Sequence, residues 1–296
     1  MKTKILTRLL LAAGVFALAV QPQALPVGSH YPVGAEGIKG AALPPPGIYL
    51  RDYNFFYSAG KVDGLPADVD IFAYVQAPRL IWMTDKKILG ANYGMDIIVP
   101  FAYKNVSLGG SSGDQFNIAD IQVEPLLLAW HFKQFDLSAG YALWAPSGNF
   151  DASSPVRYLT SPGSGFWSHM LTFGGVWYPD EKKTWAVSLL NRYEICYKQD
   201  QTDITPGNMW TLEWGLSKTV AQGVDLGLIG YYQQQATDDS GAGASPDTAR
   251  VIGVGPEVNV FWAKPGLFTS LRYVYEADAR NRPQGHTVTL TVTKRF

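Results

Sequence analysis

The sequence contains few charged residues and a single cysteine. Asp, Glu, Lys and Arg make up 17% of the 296 residues, whereas an ordinary soluble domain has about 25%. With 30 glycines and 13% aromatic residues, this composition argues against a disordered chain or a coiled coil. A formal net charge of -1 argues against binding to nucleic-acid phosphates. Cys196 has no second cysteine with which to form an internal disulfide or a zinc site built on several thiolates.

The start of the chain has the pattern of a secretory signal. Three cations precede an apolar run at residues 9–20, and small residues follow. We predict that residues 1–24 are a cleaved signal peptide, with cleavage after Ala19 or Ala24. The alternative, an uncleaved membrane anchor, requires about 20 apolar residues. The mature protein is therefore expected to work beyond the inner membrane.

The remaining apolar residues recur with period two, as in strands that have one apolar face. In one such segment Leu212 and Trp214 face one way, and Glu213 faces the other. Segments of this kind predict strands near residues 47–58, 68–83, 91–108, 116–131, 135–146, 166–178, 184–197, 208–218, 224–236, 249–262, 267–277 and 285–296.

The connections between these segments alternate between short turns and longer polar loops, such as residues 109–115 and 147–165. The pattern predicts an all-β fold: a transmembrane antiparallel β-barrel of about 12 strands over residues 47–296, with short periplasmic turns and longer extracellular loops. Lipid cannot hydrogen-bond a backbone, so such a sheet must close on itself. A secreted β-sandwich also alternates, but it would rarely place large apolar residues outward on every strand.

The polar residues of the alternation are expected to face the lumen, because a charged side chain facing lipid near the midplane costs about 2–4 kcal/mol. Arg192 and Arg272 are expected to meet an anionic solute there. Four aromatic residues are also placed inward, namely Phe72, Tyr74, Trp144 and Tyr231. The candidate lumen-lining residues are Asp120, Gln122, Glu124, Arg192, Glu194, Glu213, Gln233, Gln235, Glu257, Asn259, Arg272 and Glu276.

The sequence contains no recognisable motif of a catalytic or metal site. The four histidines form no H-x-x-x-H or H-E-x-x-H pair, and no serine stands in a recognisable nucleophile motif. We therefore predict no catalytic residue, no metal site and no cofactor, and we expect that the protein is not an enzyme.

Residues 25–46, before the first predicted strand, are rich in proline and glycine, which opposes regular secondary structure. The segment also contains apolar residues such as Tyr31 and Ile38. Two interpretations stay open: a plug that folds back into the periplasmic mouth of the barrel, or a disordered lead-in.

Short motifs follow one another along nearly the whole mature chain. They are GSHYPVGAEG at residues 28–37, PPPGIY at 44–49, DI at 120–121, PLLLAW at 125–130, GY at 140–141, PSG at 146–148, GYY at 230–232, QATDDSG at 235–241 and GP at 255–256. In this order they resemble the family described as MetA-pathway of phenol degradation. The resemblance implies an outer-membrane barrel, encoded near genes of aromatic degradation, that admits hydrophobic aromatic compounds. Ser147, where the family pattern has Thr, is a departure, and the family supplies no catalytic residues.

The sequence thus predicts an outer-membrane channel for passive uptake of small hydrophobic or aromatic compounds. Two alternatives stay open: a lipid-modifying barrel enzyme, and a structural barrel closed by its own salt bridges. The expected partners are outer-membrane lipid and lipopolysaccharide, the barrel-assembly machinery through the C-terminal Phe296, and a small-molecule solute, but no nucleic acid.

Overall fold

A computed structural model describes residues 28–63 and 68–296. The predicted signal peptide, residues 1–24, lies outside the described residues. The elements are β1 (Gly47–Val62), β2 (Val69–Ile88), β3 (Ala91–Ile98), β4 (Phe101–Leu108), β5 (Ser111–Ile118), β6 (Ile121–His131), β7 (Phe135–Ala145), α1 (Pro155–Thr160), β8 (Ser168–Trp177), β9 (Trp185–Cys196), β10 (Met209–Ala221), β11 (Val224–Gln235), β12 (Arg250–Trp262), β13 (Leu267–Arg280) and β14 (Pro283–Arg295).

All pairings between these strands are antiparallel, and β14 pairs with β1, so the sheet closes into a barrel. The strands β3 and β4 lie along one line, because both pair with the long strand β2. In the same way β5 pairs with β4, and β6 pairs with β3. If β3 with β4 is counted as one wall strand, and β5 with β6 as another, the fourteen strands form a closed barrel of twelve wall strands. This confirms the predicted fold.

The interruption between β3 and β4 falls at Val99 and Pro100. Proline has no backbone N–H to donate to a neighbouring strand. Its carbonyl still accepts a hydrogen bond from the N–H of Ala119 at 2.8 Å. The interruption between β3 and β4 and the interruption between β5 and β6 therefore lie side by side, where the β4–β5 hairpin begins.

Side chains alternate between the inside and the outside of the barrel, as β13 shows. Leu271, Tyr273 and Tyr275 are each about half exposed on the outer surface. At the alternate positions of the strand, Arg272 and Glu276 are buried in the interior. The outer surface is the one expected to contact lipid.

The predicted inward placement is wrong for two aromatic residues. Phe72 and Tyr74 lie on the outer face of β2, where Tyr74 packs against Phe56 with ring centroids 4.9 Å apart. The neighbouring inward positions of β2, such as Ile71 and Val75, are apolar as well, so β2 is apolar on both faces. Its sequence alternation therefore could not tell the two faces apart. Trp144 and Tyr231 do lie inward, as predicted.

One acidic residue also departs from the expectation that charged residues of the wall face inward. Asp52 lies on the outer face of β1, between the exposed Leu50 and Phe56. Its carboxylate accepts hydrogen bonds from the side-chain amides of Asn54 and Gln76, both at 3.1 Å. These amide donors compensate part of the cost of placing a carboxylate within an apolar surface.

Two loops differ from the prediction. The predicted loop at residues 109–115 is wrong, because the strands β4 and β5 extend to a tight turn at Gly109 and Gly110, with φ angles of 55° and 85°. The predicted loop at residues 147–165, which together with Pro146 we call the loop at residues 146–165, contains the unpredicted helix α1, in which Ser154 caps the helix and Pro155 begins it. Leu159 of this helix packs on inward residues of the barrel, including Val106. The loop therefore folds into the mouth predicted to be extracellular.

No helix within residues 28–63 and 68–296 has the length and apolar character needed to cross a membrane.

The outward apolar surface makes a prediction about stability. Leu228 in the middle of β11 is 51% exposed, and Val220 near the predicted periplasmic end of β10 is 54% exposed. We expect Leu228→Arg to lower the free energy of unfolding by about 2–4 kcal/mol, and Val220→Arg by about 0–1 kcal/mol, since the cost of a charge depends on its depth in the bilayer. Urea unfolding in phospholipid vesicles, followed by tryptophan fluorescence, measures both. Equal effects of the two variants would contradict the assigned membrane position.

Candidate functional site

The predicted lumen-lining residues all lie at the inside of the barrel. Asn259 is half-buried, and the other members of the set are buried: Asp120, Gln122, Glu124, Arg192, Glu194, Glu213, Gln233, Gln235, Glu257, Arg272 and Glu276. Many of them contact residues 28–46, which we call the inner segment. This part of the chain runs through the barrel interior without joining a strand ladder.

Glu36 of the inner segment is surrounded by arginines of the wall. Its carboxylate accepts hydrogen bonds at 2.9 Å from Arg51 of β1 and from Arg79 of β2. Arg192 of β9 lies 3.6 Å away. Burial by itself would raise the pKa of Glu36, but the arginines outweigh it and lower the pKa to about 2. The Glu36 carboxylate is therefore a permanent counter-ion for cations on strands from both sides of the barrel.

Carboxylates of the wall bind the backbone of the inner segment. Glu213 accepts from the N–H of Gly34 at 2.7 Å and from the hydroxyl of Tyr31 at 2.9 Å. Glu257 accepts from the N–H of Ile38 at 2.8 Å. A side chain at Gly37 would collide with the Glu257 carboxylate, because an added Cβ would lie 2.0 Å from it. The inner segment thus follows a path that its glycines and the wall carboxylates fix together.

Arg272 holds the same part of the inner segment. It donates to the carbonyls of Gly34, at 3.0 Å, and of Ala35. Arg192 lies over the ring of Tyr31, with its guanidinium carbon 4.2 Å from the ring centroid. The structure therefore places both arginines against the inner segment, where the sequence analysis expected an anionic solute.

His30, near the start of the inner segment, lies between two carboxylates. Its Nδ1 is 2.7 Å from Glu194, and its Nε2 is 3.2 Å from Asp120. Burial favours the neutral ring, but the two carboxylates outweigh it and raise the pKa of His30 to about 9. Ser168 is also close, but its hydroxyl donates to Glu194 at 2.6 Å. A protonated ring with a carboxylate at each nitrogen has no lone pair with which to activate a serine, so this cluster anchors the inner segment.

Apolar side chains of the inner segment fill gaps between the polar anchors. Ile38 packs in a cluster with Ile229, Tyr231 and Val274, and Ala41 packs with a second cluster around Leu190. These contacts fill the barrel interior beside β9, β11 and β13. Between the polar and apolar contacts, the inner segment is in contact with strands all around the barrel.

A cavity of about 250 Å³ remains between the inner segment and the loop at residues 146–165. Its floor is formed by residues of the inner segment such as Tyr31, and its roof by Pro162 and Ser164 of the loop. Apolar wall residues, including Phe55 and Trp144, lie on one side. Lys104 and Arg192 bring positive charge to the same space.

Comparisons with known proteins now identify the family. The family model described as "Putative MetA-pathway of phenol degradation" matches residues 56–292. The chain belongs to this family. The motifs at residues 120–148 and 230–256 fall within the match, as the sequence resemblance predicted. No match to the chain is found among curated proteins.

Solved structures share the fold at low sequence identity. An outer membrane channel from Pseudomonas putida F1 has a TM-score of 0.76 at 16% identity, covering 90% of this chain and 100% of that chain. The translocator domain of the autotransporter NalP from Neisseria meningitidis has a TM-score of 0.53 at 11% identity, covering 87% and 91%. The β domain of the Bordetella autotransporter BrkA has a TM-score of 0.53 at 11% identity, covering 86% and 100%. The fold of this family member is that of an outer-membrane β-barrel.

The sequence analysis missed three cations that the site depends on, Arg51, Arg79 and Lys104. All three are at inward positions of β1, β2 and β4. Their inward orientation follows from the alternation along each strand. On β1, however, Tyr49, Tyr53 and Phe55 share the inward face and give it an apolar composition. On β1, inward aromatic residues packed against the inner segment thus concealed Arg51, whereas the inward faces of β2 and β4 carry aliphatic residues beside Arg79 and Lys104.

The cluster around Glu36 predicts how firmly the inner segment is held. Removing one partner of a buried ion pair costs about 3–5 kcal/mol, so we expect Glu36→Gln to raise the open population of the segment by at least about 100-fold. Trypsin cleavage after Lys39 in the folded, detergent-solubilised protein measures that population. The matched control is Glu181→Gln, because Glu181 pairs with Lys133 at 2.9 Å while both side chains are 79% exposed. Cleavage after Lys39 at the wild-type rate in Glu36→Gln would contradict the role of Glu36.

Proposed function

We propose that the protein is an outer-membrane channel through which small hydrophobic or aromatic molecules diffuse passively. The observation that carries this proposal is a closed twelve-strand wall whose interior is filled by a separate, non-strand segment. Eight strands make a barrel that side chains alone can fill, and sixteen leave an open channel. A twelve-strand wall lies between these cases, and the inner segment occupies the additional space.

The manner in which the inner segment is held supports a channel that can open. The segment contributes no strand to the wall, and its anchors are side-chain contacts such as those of Glu36 and Glu213. Moving it would leave every strand pairing of the barrel intact. In this proposal the described arrangement is the closed state, and passage requires displacement of the inner segment.

The apolar side of the cavity supports small hydrophobic or aromatic solutes. Phe55, Val75, Ile98 and Trp144 give the space an apolar side, and aromatic faces bind other rings weakly, by about 1 kcal/mol. Weak binding suits transport, since a solute must also leave. The family description, which concerns phenol degradation, and the description of the Pseudomonas putida relative as an outer membrane channel agree with this proposal.

A structural barrel, closed permanently by its own ion pairs, is the second candidate. The observation that favours it is the density of buried ion pairs around Glu36 and His30. The lipid-modifying enzyme has less support, because the His30 ring is held between two carboxylates and cannot accept a proton from Ser168.

Export and assembly complete the proposal. We expect the chain to reach the outer membrane after cleavage of the signal in residues 1–24, and to be inserted by the barrel-assembly machinery through Phe296. In the structure Phe296 is 74% exposed beyond the end of β14. Outer-membrane lipid and lipopolysaccharide would surround the apolar belt.

A reversible crosslink between the inner segment and the wall tests the channel proposal. A Cβ added at Gly215 would lie 3.1 Å from Cα of Ile38 and 3.6 Å from Cγ2 of the same residue, which is compatible with the Cβ–Cβ distance of about 3.5–4.5 Å in a disulfide. We expect Ile38→Cys with Gly215→Cys, in a Cys196→Ser background, to lose most uptake of benzyl alcohol into proteoliposomes on oxidation. Reduction should restore it.

The single variants Ile38→Cys and Gly215→Cys in the same background are the controls, since neither can form the crosslink. Planar-bilayer conductance of the same proteins gives a second measurement. Uptake that is the same in the oxidised and reduced double variant would show that the inner segment does not gate the barrel. Absence of uptake and conductance in all forms would favour the closed structural barrel.

A further inference from the structure

We propose that the cavity between the inner segment and the loop at residues 146–165 binds one monocyclic aromatic carboxylate, with its ring among apolar wall residues and its anion at Lys104. The inference rests on the proposed channel function and names a class of solute that pauses inside the barrel. The cavity volume, its apolar side and the remaining donors of Lys104 support it.

The size of the cavity fits a single ring. Its volume is about 250 Å³, whereas an engineered apolar cavity of about 150 Å³ is known to hold benzene. The additional volume can accommodate one small substituent on the ring. A two-ring compound would require movement of the inner segment or of the loop.

The apolar side of the cavity is built by adjacent wall strands. Phe55 on β1, Ala77 on β2 and Ala102 on β4 are buried inward residues of this wall. Trp144 on β7 is buried at the same site and stacks on the His30 ring, with centroids 5.4 Å apart. Small residues beside aromatic ones leave a space whose walls can contact the faces of a ring.

Lys104 supplies the positive charge. It lies at an inward position of β4, and its Nζ donates to the carbonyl of Ser161 at 2.6 Å. An ammonium has three donors, and this is the hydrogen bond that the structure assigns to it within residues 28–63 and 68–296. Two donors of Lys104 therefore remain for a ligand.

Arg192 adds positive charge on another side of the cavity. It lines the same space, and its guanidinium lies over the ring of Tyr31 and 3.6 Å from Glu36. Its charge favours an anion in the cavity without a direct hydrogen bond to it.

The carboxylates that line the cavity are already occupied, which makes an anionic ligand the complementary one. Glu36 accepts from Arg79 and Arg51, and Glu124 accepts from Arg79 at 3.0 Å. Asp120 accepts from the backbone N–H groups of Gly148, at 2.9 Å, and Ser164, at 2.6 Å. Free donors thus remain at the lining, while the acceptors have partners. A cationic ligand would find repulsion where an aromatic carboxylate finds a counter-ion.

Equilibrium binding to the purified full chain in detergent tests the site. The probes are 4-fluorobenzoate and its neutral counterpart 4-fluorobenzyl alcohol, followed by ¹⁹F NMR titration. Because a hydrogen bond to a charged group contributes more than a neutral one, we expect the wild type to bind the acid with one saturable site at least about tenfold more tightly than the alcohol. Lys104→Met should abolish this preference, and Lys104→Arg should retain it.

Two cavity-filling variants locate the ring, and a surface variant serves as the control. Ala102→Leu and Ala77→Leu, each checked for folding by heat-modifiable migration in gels, should abolish binding of both probes. Lys133→Met, which removes an exposed cation, should leave binding unchanged. Absence of saturable binding to the wild type, or wild-type binding by Lys104→Met and Ala102→Leu, would overturn the proposal.

The outcome is separable from that of the channel test. Binding without any uptake or conductance would retain this site and reject the channel. If the crosslink blocks uptake but the protein does not bind 4-fluorobenzoate, the channel proposal is retained and this site is rejected.

Discussion

Neutralisation of charge inside a closed wall is the constraint on which the rest of this structure depends. Arg51 and Arg79 point into the barrel and are largely removed from water. An unpaired buried ion costs several kcal/mol, so these cations require an anion inside. Glu36 supplies one to both cations from a part of the chain that belongs to no strand, and Asp96 and Glu124 of the wall also pair with Arg79. The charges of the wall and of the inner segment are therefore complementary. The inner segment neutralises the wall arginines, and these arginines hold the inner segment in place.

The width of the barrel gives this complementarity its functional meaning. A twelve-strand wall encloses more space than its own side chains fill. The inner segment takes most of that space, held by ion pairs and hydrogen bonds to side chains. Displacing it would break these contacts and no strand pairing. The cavity that remains under the loop at residues 146–165 has an apolar side around Phe55 and a cationic side at Lys104, so the same packing that closes the barrel also creates a place for a solute.

Alternation along each strand predicted the fold and the inward position of residues such as Glu213 and Arg272 without any contact information. It failed on β1 and β2. The inward faces of these strands pack against the inner segment, so they carry Tyr53, Phe55 and Val75 among their cations. An apolar residue is then favoured on both faces, and the alternation loses its meaning. Asp52 is the opposite case: a charged residue lies on the outer face, where neighbouring amides stabilise it.

The closed antiparallel barrel could be predicted from residue order alone, because each membrane strand alternates apolar and polar residues and lipid allows only a closed sheet. The pairing of charges could not be predicted in this way. His30 and Glu194 are 164 positions apart in the chain, and Arg79 meets Glu36 and Glu124 from different elements. No local pattern encodes such partners, since closure of the barrel and the path of the inner segment bring them together. The position of the loop at residues 146–165 over the cavity could not be predicted either, because it also depends on closure of the barrel.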